Sequence, residues 1–241
     1  MFGLSVWMAL ACVGIVYVGA TVQASIGIGL GMIASPVLAL ADPDFIPAAI
    51  MIAVLPLTLA VAWADRDDIE HRDVGLALVG RVPGTIVGAL VVAALSDTVL
   101  AVMVAVSVLV AVMASITGRL FRPTDRALVV AGLASGFAGT TTGVGGPPMA
   151  LTYQNASPAT MRATISAFFS IGSLLSVGAL ALAGEVGVRQ WQLTALILPG
   201  IALGVVTARR FKDQLRAEVV RPAVLVICTG AAVALLVETF T

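Results

Sequence analysis

The sequence predicts an all-α polytopic membrane protein, and three observations carry that prediction. Of the 241 residues, 60% are apolar, and the mean hydropathy is +1.09. Only 11% are charged, against about 25% in a soluble domain, too few to cover the surface of a soluble protein of this size. The apolar stretches are continuous rather than alternating, which excludes a membrane β-barrel. The same composition excludes a soluble enzyme, a nucleic-acid binder and a disordered chain. Basic and acidic residues number 13 each, so net charge says nothing about partners, but the placement of the charges does.

The elements follow in order. Residues 1–41 carry no charge. As one straight helix they would reach about 60 Å, twice the ~30 Å hydrocarbon core. The run is interrupted by Ser25-Ile26-Gly27-Ile28-Gly29-Leu30-Gly31, where glycine disfavours helix. Full spans are expected over roughly 45–64, 74–95 and 98–118, bounded by Asp42-Pro43-Asp44, the cluster Asp65 to Asp73, Ser96-Asp97 and the stretch from Gly118 to Arg126. A second charge-free run, 127–161, would be about 52 Å long as one helix. It is broken at Thr140-Thr141-Thr142-Gly143-Val144-Gly145-Gly146-Pro147-Pro148. Three more spans, roughly 163–183, 190–208 and 220–240, are separated by Gly184-Glu185 and by Arg209 to Arg216. The N-terminal run lacks the basic region of a signal peptide and belongs to a repeat, so it is read as retained. Cys12 and Cys228 lie inside apolar runs without metal-ligand spacing, and the single histidine, His71, lies in a charged loop.

The basic residues decide what the two broken runs do. If each run crossed once, the loop arginines and lysine would divide evenly between the two sides. If each folds back, Arg66, Arg72, Arg119, Arg122, Arg126, Arg162, Arg209, Arg210, Lys212, Arg216 and Arg221 share one side and Arg189 alone takes the other. Cytoplasmic loops are enriched in Lys and Arg, so the fold-back arrangement is expected. It gives two hairpin-like broken elements, about eight hydrophobic segments in all, six full spans, and both termini outside.

A shift of 116 residues aligns the two halves, 1–118 and 119–241, without gaps. Gly27 and Gly29 meet Gly143 and Gly145, Pro83-Gly84 meets Pro199-Gly200, Gly88 meets Gly204, and Asp97 meets Asp213. Each half is one broken element followed by three spans. Three is odd, so the second half should run inverted to the first, the two together forming one transport domain. Inverted repeats with broken helices near the midplane are the architecture of secondary transporters. A break in a bilayer leaves backbone groups that must line a polar cavity, and helix N-termini there suit an anion. The alternative is that the glycines only permit close helix packing. The candidate substrate-binding residues are Gln23, Ser25, Gly27, Gly29, Gly31, Thr140, Thr141, Thr142, Gly143, Gly145 and Gly146.

The glycine-rich stretches Gly27-Ile28-Gly29-Leu30-Gly31 with Ser35-Pro36, and Gly143-Val144-Gly145-Gly146-Pro147-Pro148, resemble the tandem motifs of the TauE/SafE-type sulfite exporters. The first departs from the family pattern, with Ile28 and Leu30 between its glycines. The resemblance implies export of small sulfur-containing anions: sulfite, sulfonates or related carboxylates.

Arg81 joins the candidate site because it is the one basic residue well inside a span. Intramembrane charge marks function by default, and a guanidinium fork matches an oxyanion. Its bland alternative is snorkelling to the inner interface. Arg162 is read as an interfacial anchor, the Asp65 to Asp73 cluster as a solvated inner loop, and Trp63, Trp191 and Trp7 as interfacial belt residues. No nucleophile–base pair, metal set or proton relay is visible, so no catalysis, cofactor or metal is expected. The expected partners are a small anion, the lipid bilayer of the cell's inner membrane and a second copy of the chain, with no nucleic acid. The competing functions are a passive anion channel and a membrane assembly factor.

Overall fold

The computed structural model describes residues 3–117, 123–211 and 217–240. Arg119, Arg122, Lys212, Asp213 and Arg216, on which part of the charge and repeat arguments rest, lie outside the described residues. Among those described, the chain is helical with no strand. Its α-helices are α1 (Val6–Ile26), α2 (Leu30–Ala41), α3 (Ala48–Ala64), α4 (His71–Ala94), α5 (Asp97–Thr117), α6 (Asp125–Thr142), α7 (Gly146–Thr152), α8 (Pro158–Leu182), α9 (Val188–Arg210) and α10 (Ala217–Phe240). Hydroxyl caps start three of them: Ser5, Thr124 and Ser157 accept from the amides of Met8, Ala127 and Thr160, which satisfies first-turn donors.

Among the described residues, six helices are long and apolar enough to cross a membrane: α1, α4, α5, α8, α9 and the 222–240 part of α10. The set differs by one member from the sequence expectation. Helix α1 was expected as one arm of a broken element, yet its 21 residues reach the length of a crossing. Helix α3, expected as a span from residue 45, begins at Ala48 and has 17 residues, about 26 Å. The cause is local. The Asp42 carboxylate accepts from the Asp44 amide and starts a 3₁₀ turn over Pro43–Phe45, which consumes the residues that would have extended α3.

Both broken runs return to the end of the bundle from which they start. Arg189, at the start of α9, pairs with Asp42 after α2, and its guanidinium lies close to Gly3 before α1. At the opposite end, Arg72 and Asp73, in the first turn of α4, bond Asp125 at the start of α6 and Tyr153 after α7. The turnings use the same device. Gly27 and Gly143 are both left-handed, with φ 92° and 76°, and their amides donate to Gln23 and Gly139 carbonyls four residues back. Only glycine holds that conformation cheaply.

Glycine also sets the helix spacing. A Cβ on Gly80 would lie 1.9 Å from the Val129 carbonyl oxygen, and one on Gly132 would lie 1.9 Å from that of Ala77. Helices α4 and α6 therefore touch backbone to backbone. Helices α1 and α9 do the same through Gly200 and Gly204, against Val13 and Tyr17. This is packing through small residues, as membrane helices use in place of a hydrophobic driving force. Helices α3 and α8 run antiparallel: Asp65 meets Arg162 at one end, and Ala48 clusters with Leu180 at the other. The outward faces of α4, α5 and α10 expose Val79, Ile86, Leu90, Val110, Met113, Val226 and Val237, an apolar surface suited to lipid. Trp7, Trp63 and Trp191 are 82%, 73% and 55% exposed, placed at the helix ends as belt residues are.

Candidate functional site: a buried arginine where two helix breaks cross

The two breaks touch. A Cβ on Gly31 would sit 2.0 Å from the Gly143 carbonyl oxygen, so the start of α2 crosses directly over the turn between α6 and α7. A cavity of about 30 Å³ opens at this crossing, lined by Gln23, Gly29, Gly31, Gly143, Gly145, Gly146 and Arg81, with Met51, Phe169 and Ser173 on its other walls. That volume holds roughly two to three water molecules.

Arg81 is 1% exposed and does not snorkel. Its Nη1 donates to the Ser135 hydroxyl at 3.1 Å and its Nη2 to the Ser176 hydroxyl at 3.4 Å. The guanidinium carbon lies 4.9 Å from the Phe168 ring centroid and 5.6 Å from that of Phe169, a cation–π arrangement. Gly172 makes room for it, since a Cβ there would fall 1.9 Å from Arg81 Nε. None of the ion pairs among the described residues involves Arg81. A buried cation without a counter-ion carries an effective cost of several kcal/mol.

Unmet hydrogen-bonding capacity gathers at the same place. Arg81 Nε and the Ser173 hydroxyl are buried without partners, and so is the hydroxyl of Ser35, beside the position a Gly143 Cβ would take. Buried polar atoms in folded proteins are nearly always bonded. Two of the orphaned atoms, Arg81 Nε and the Ser173 hydroxyl, belong to residues that line the cavity; Ser35, and Ser166 with its own orphaned hydroxyl, do not line it.

The sequence-derived candidates divide. Gln23, Gly29, Gly31, Arg81, Gly143, Gly145 and Gly146 line the cavity. The others do not. The Ser25 hydroxyl donates to the Thr21 carbonyl, and Gly27 is a helix cap lying against Arg162. The hydroxyls of Thr141 and Thr142 donate back to Phe137 and Ala138 carbonyls of their own helix, as threonines in membrane helices commonly do. Thr140 acts one step back: its hydroxyl bonds Ser176 at 2.8 Å, and Ser176 takes Arg81. The free helix N-termini are also fewer than expected, because the Leu30 amide is already taken by Gln23 Oε1 at 3.0 Å. Gly31 and Met32 are the first-turn positions of α2 left on the cavity.

Sequence reasoning missed Ser135, Ser173 and Ser176. A signal for the last two was present: Ser166, Ser170, Ser173 and Ser176 recur at helical spacing on α8, and all are buried. A polar stripe turned inward on a membrane helix faces a cavity or a partner. Arg162, expected at the interface, is instead nearly buried. It pairs with Asp65 at 2.6 Å, the two side chains 6% and 14% exposed, and its Nη1 reaches the Ser25 carbonyl at 3.4 Å.

The profile of the family described as "Sulfite exporter TauE/SafE" matches residues 10–235 of the chain. A protein of Cupriavidus necator, described as "Probable sulfite/organosulfonate exporter TauE", is 23% identical over 234 residues, covering 92% of this chain and 91% of its own length. No solved structure matches. With a multi-pass helical architecture and a family profile spanning nearly its whole length, the chain belongs to the TauE/SafE sulfite exporter family.

Proposed function

We propose that the chain is a secondary transporter that moves small sulfur-containing anions, such as sulfite, organosulfonates or related carboxylates, out of the cytoplasm, binding them between the two crossed glycine breaks. The observation that carries this is Arg81: buried, without a carboxylate, and beside two unpartnered donors, its own Nε and the Ser173 hydroxyl. A sulfur oxyanion has the charge and the acceptor oxygens that this arrangement lacks. The name of the Cupriavidus relative supports the substrate class and the direction.

The reading includes two inverted repeats, 1–118 and 119–241. The shift of 116 residues supports it: α4 and α9 begin at His71 and Val188 and end at Ala94 and Arg210. Under the same shift, the glycine-mediated pairing of α4 with α6 becomes that of α9 with α1. The antiparallel course of α3 and α8 supports inversion. A carrier is favoured over a channel because the space beside Arg81 is a small local cavity, whereas a channel needs an open path.

The experiment is calorimetric titration of sulfite and methanesulfonate into purified protein, followed by counterflow in proteoliposomes. Binding with acceleration by substrate on the far side is expected. No heat with either anion would overturn the anion reading, and uptake without trans-stimulation would replace the carrier with a channel.

A further inference from the structure

A second cavity, of about 560 Å³, lies at the Asp65–Arg162 end of the bundle. Its walls include Ser25 and Ile26 of α1, Ser115 of α5, Gln154 and Pro158 between α7 and α8, and Val224 of α10. It shares Ile28, Gly29 and Met32 with the small cavity beside Arg81. One short stretch of chain thus separates a wide vestibule from the buried site.

Ile28 occupies that stretch alone between two glycines with positive φ, Gly27 at 92° and Gly29 at 143°. Its Cγ2 lies 3.2 Å from where a Gly146 Cβ would be, so it reaches across to the other break. It packs against the cluster built on Met149, Tyr153 and Phe168. The Arg162–Asp65 pair fixes this stretch from behind: Arg162 Nη1 holds the Ser25 carbonyl, and Gly27 is seated directly on the Arg162 backbone. By contrast Val144, the residue 116 positions on, is 3% exposed within the cluster of Val104, Val108 and Ala232. Two glycines on either side of one apolar side chain form a place where the backbone can turn at low cost.

We propose that Ile28 is the gate between this vestibule and the anion cavity, and that the Arg162–Asp65 ion pair is the positioning element that sets its resting place. The proposal rests on the transporter reading for its purpose but not for its test. Ile28 swings on Gly27 and Gly29 to admit the anion from the vestibule. At rest its side chain excludes water from the guanidinium.

The test uses the full-length protein with Cys12 and Cys228 replaced by alanine, and Ser173→Cys as a reporter in the small cavity. A membrane-impermeant maleimide is applied to vesicles of each orientation. With Ile28 present, labelling is slow. Ile28→Ala is expected to raise the rate about tenfold, because apolar contact is stripped from the closed state, and only from the face carrying Asp65. Ile28→Leu should restore slow labelling, which a general loosening of the fold would not. Asp65→Asn should raise the rate in the same direction. If Ser173→Cys fails to fold, Met51→Cys lines the same cavity and serves instead. An unchanged rate in Ile28→Ala, or equal labelling from both faces as lateral access from lipid would give, overturns the gate. Labelling needs no substrate, so the two readings fail separately. Faster labelling without sulfite binding leaves the gate and removes the anion; normal sulfite binding with unchanged labelling does the reverse.

Discussion

At the scale of single residues, Arg81 concentrates the cost and the use of this fold. Its repeat partner is Ile197, so the shared architecture of the two halves does not need a charge there. Its two hydroxyl partners, with no carboxylate, leave the cation short of an anion. A hydrogen bond to a charged group contributes about 1.5–3 kcal/mol, so Arg81→Gln is expected to weaken sulfite binding roughly tenfold to a hundredfold. Arg81→Lys keeps the charge and loses the fork, and should weaken binding by less. Equal calorimetric affinities across the three forms would remove Arg81 from the site. Ser173→Ala is milder, deleting an unpartnered hydroxyl: it should weaken binding by about fivefold to tenfold while leaving thermal stability unchanged or higher. The glycines behave otherwise. Leucine at Gly29 or Gly145 would set a bulky side chain on the wall of the cavity those glycines line. But a Cβ on Gly29 would already lie 2.7 Å from Val22 Cγ1, and one on Gly145 would lie 2.9 Å from the Ser135 carbonyl oxygen. Those substitutions are therefore expected to lower folded yield together with transport, which fluorescence-detected size exclusion would register.

At the scale of elements, the glycine stripes of α4 and α6 do the work that apolar burial does in water-soluble proteins. Gly132→Ala puts a methyl 1.9 Å from the Ala77 carbonyl oxygen, backbone that cannot swing aside, so α4 and α6 must separate. A loss of about 1–3 kcal/mol is expected, seen as a lower unfolding temperature in detergent. Gly178→Ala in α8 meets nothing within 4 Å and should be neutral or stabilising by about 0.5–1 kcal/mol. Equal effects of the two would disconnect the stripe from stability. The helical class and both break points were legible in the sequence, because glycine and proline punctuate backbone geometry wherever they occur. The length of α3 was not, because the 3₁₀ turn over Pro43–Phe45 is fixed by one carboxylate cap. The candidate site was legible at its backbone and at Arg81, where residue type alone is unusual for a membrane span. It was not legible at Ser135 and Ser173, which differ from other small residues only by the direction they face. Thr141 and Thr142 differ for the complementary reason: their hydroxyls donate to carbonyls of their own helix, which residue type alone does not reveal.

At the scale of the molecule, the charges at the two ends differ in kind. One end carries Arg66, Arg72, Arg126, Arg162, Arg209 and Arg210 among the acids Asp65, Asp67, Asp68, Glu70, Asp73 and Asp125; the other carries Asp42, Asp44, Asp97, Glu185 and Glu238 with Arg189. Arg189 is itself held by Asp42, with Asp44 at 3.5 Å, so the one cation of the acidic end among the described residues is already paired. The positive-inside rule predicts that the arginine-bearing end faces the cytoplasm. The fold-back of each broken run is what allows this, since a simple crossing of α6–α7 would carry Arg162 and everything after it to the other side. Cysteines placed singly at Asp97 and Glu185, with Cys12 and Cys228 replaced by alanine, are expected to react with an impermeant reagent from outside the cell. Cysteines at Asp68, Pro123 and Asn155 are expected to react only after the membrane is opened. The pair at 123 and 155 is decisive, because those positions flank the second broken element. Labelling of the two from opposite faces would turn that element into a full crossing, divide the basic loops between both sides, and undo the inverted arrangement on which the placement of the anion site depends.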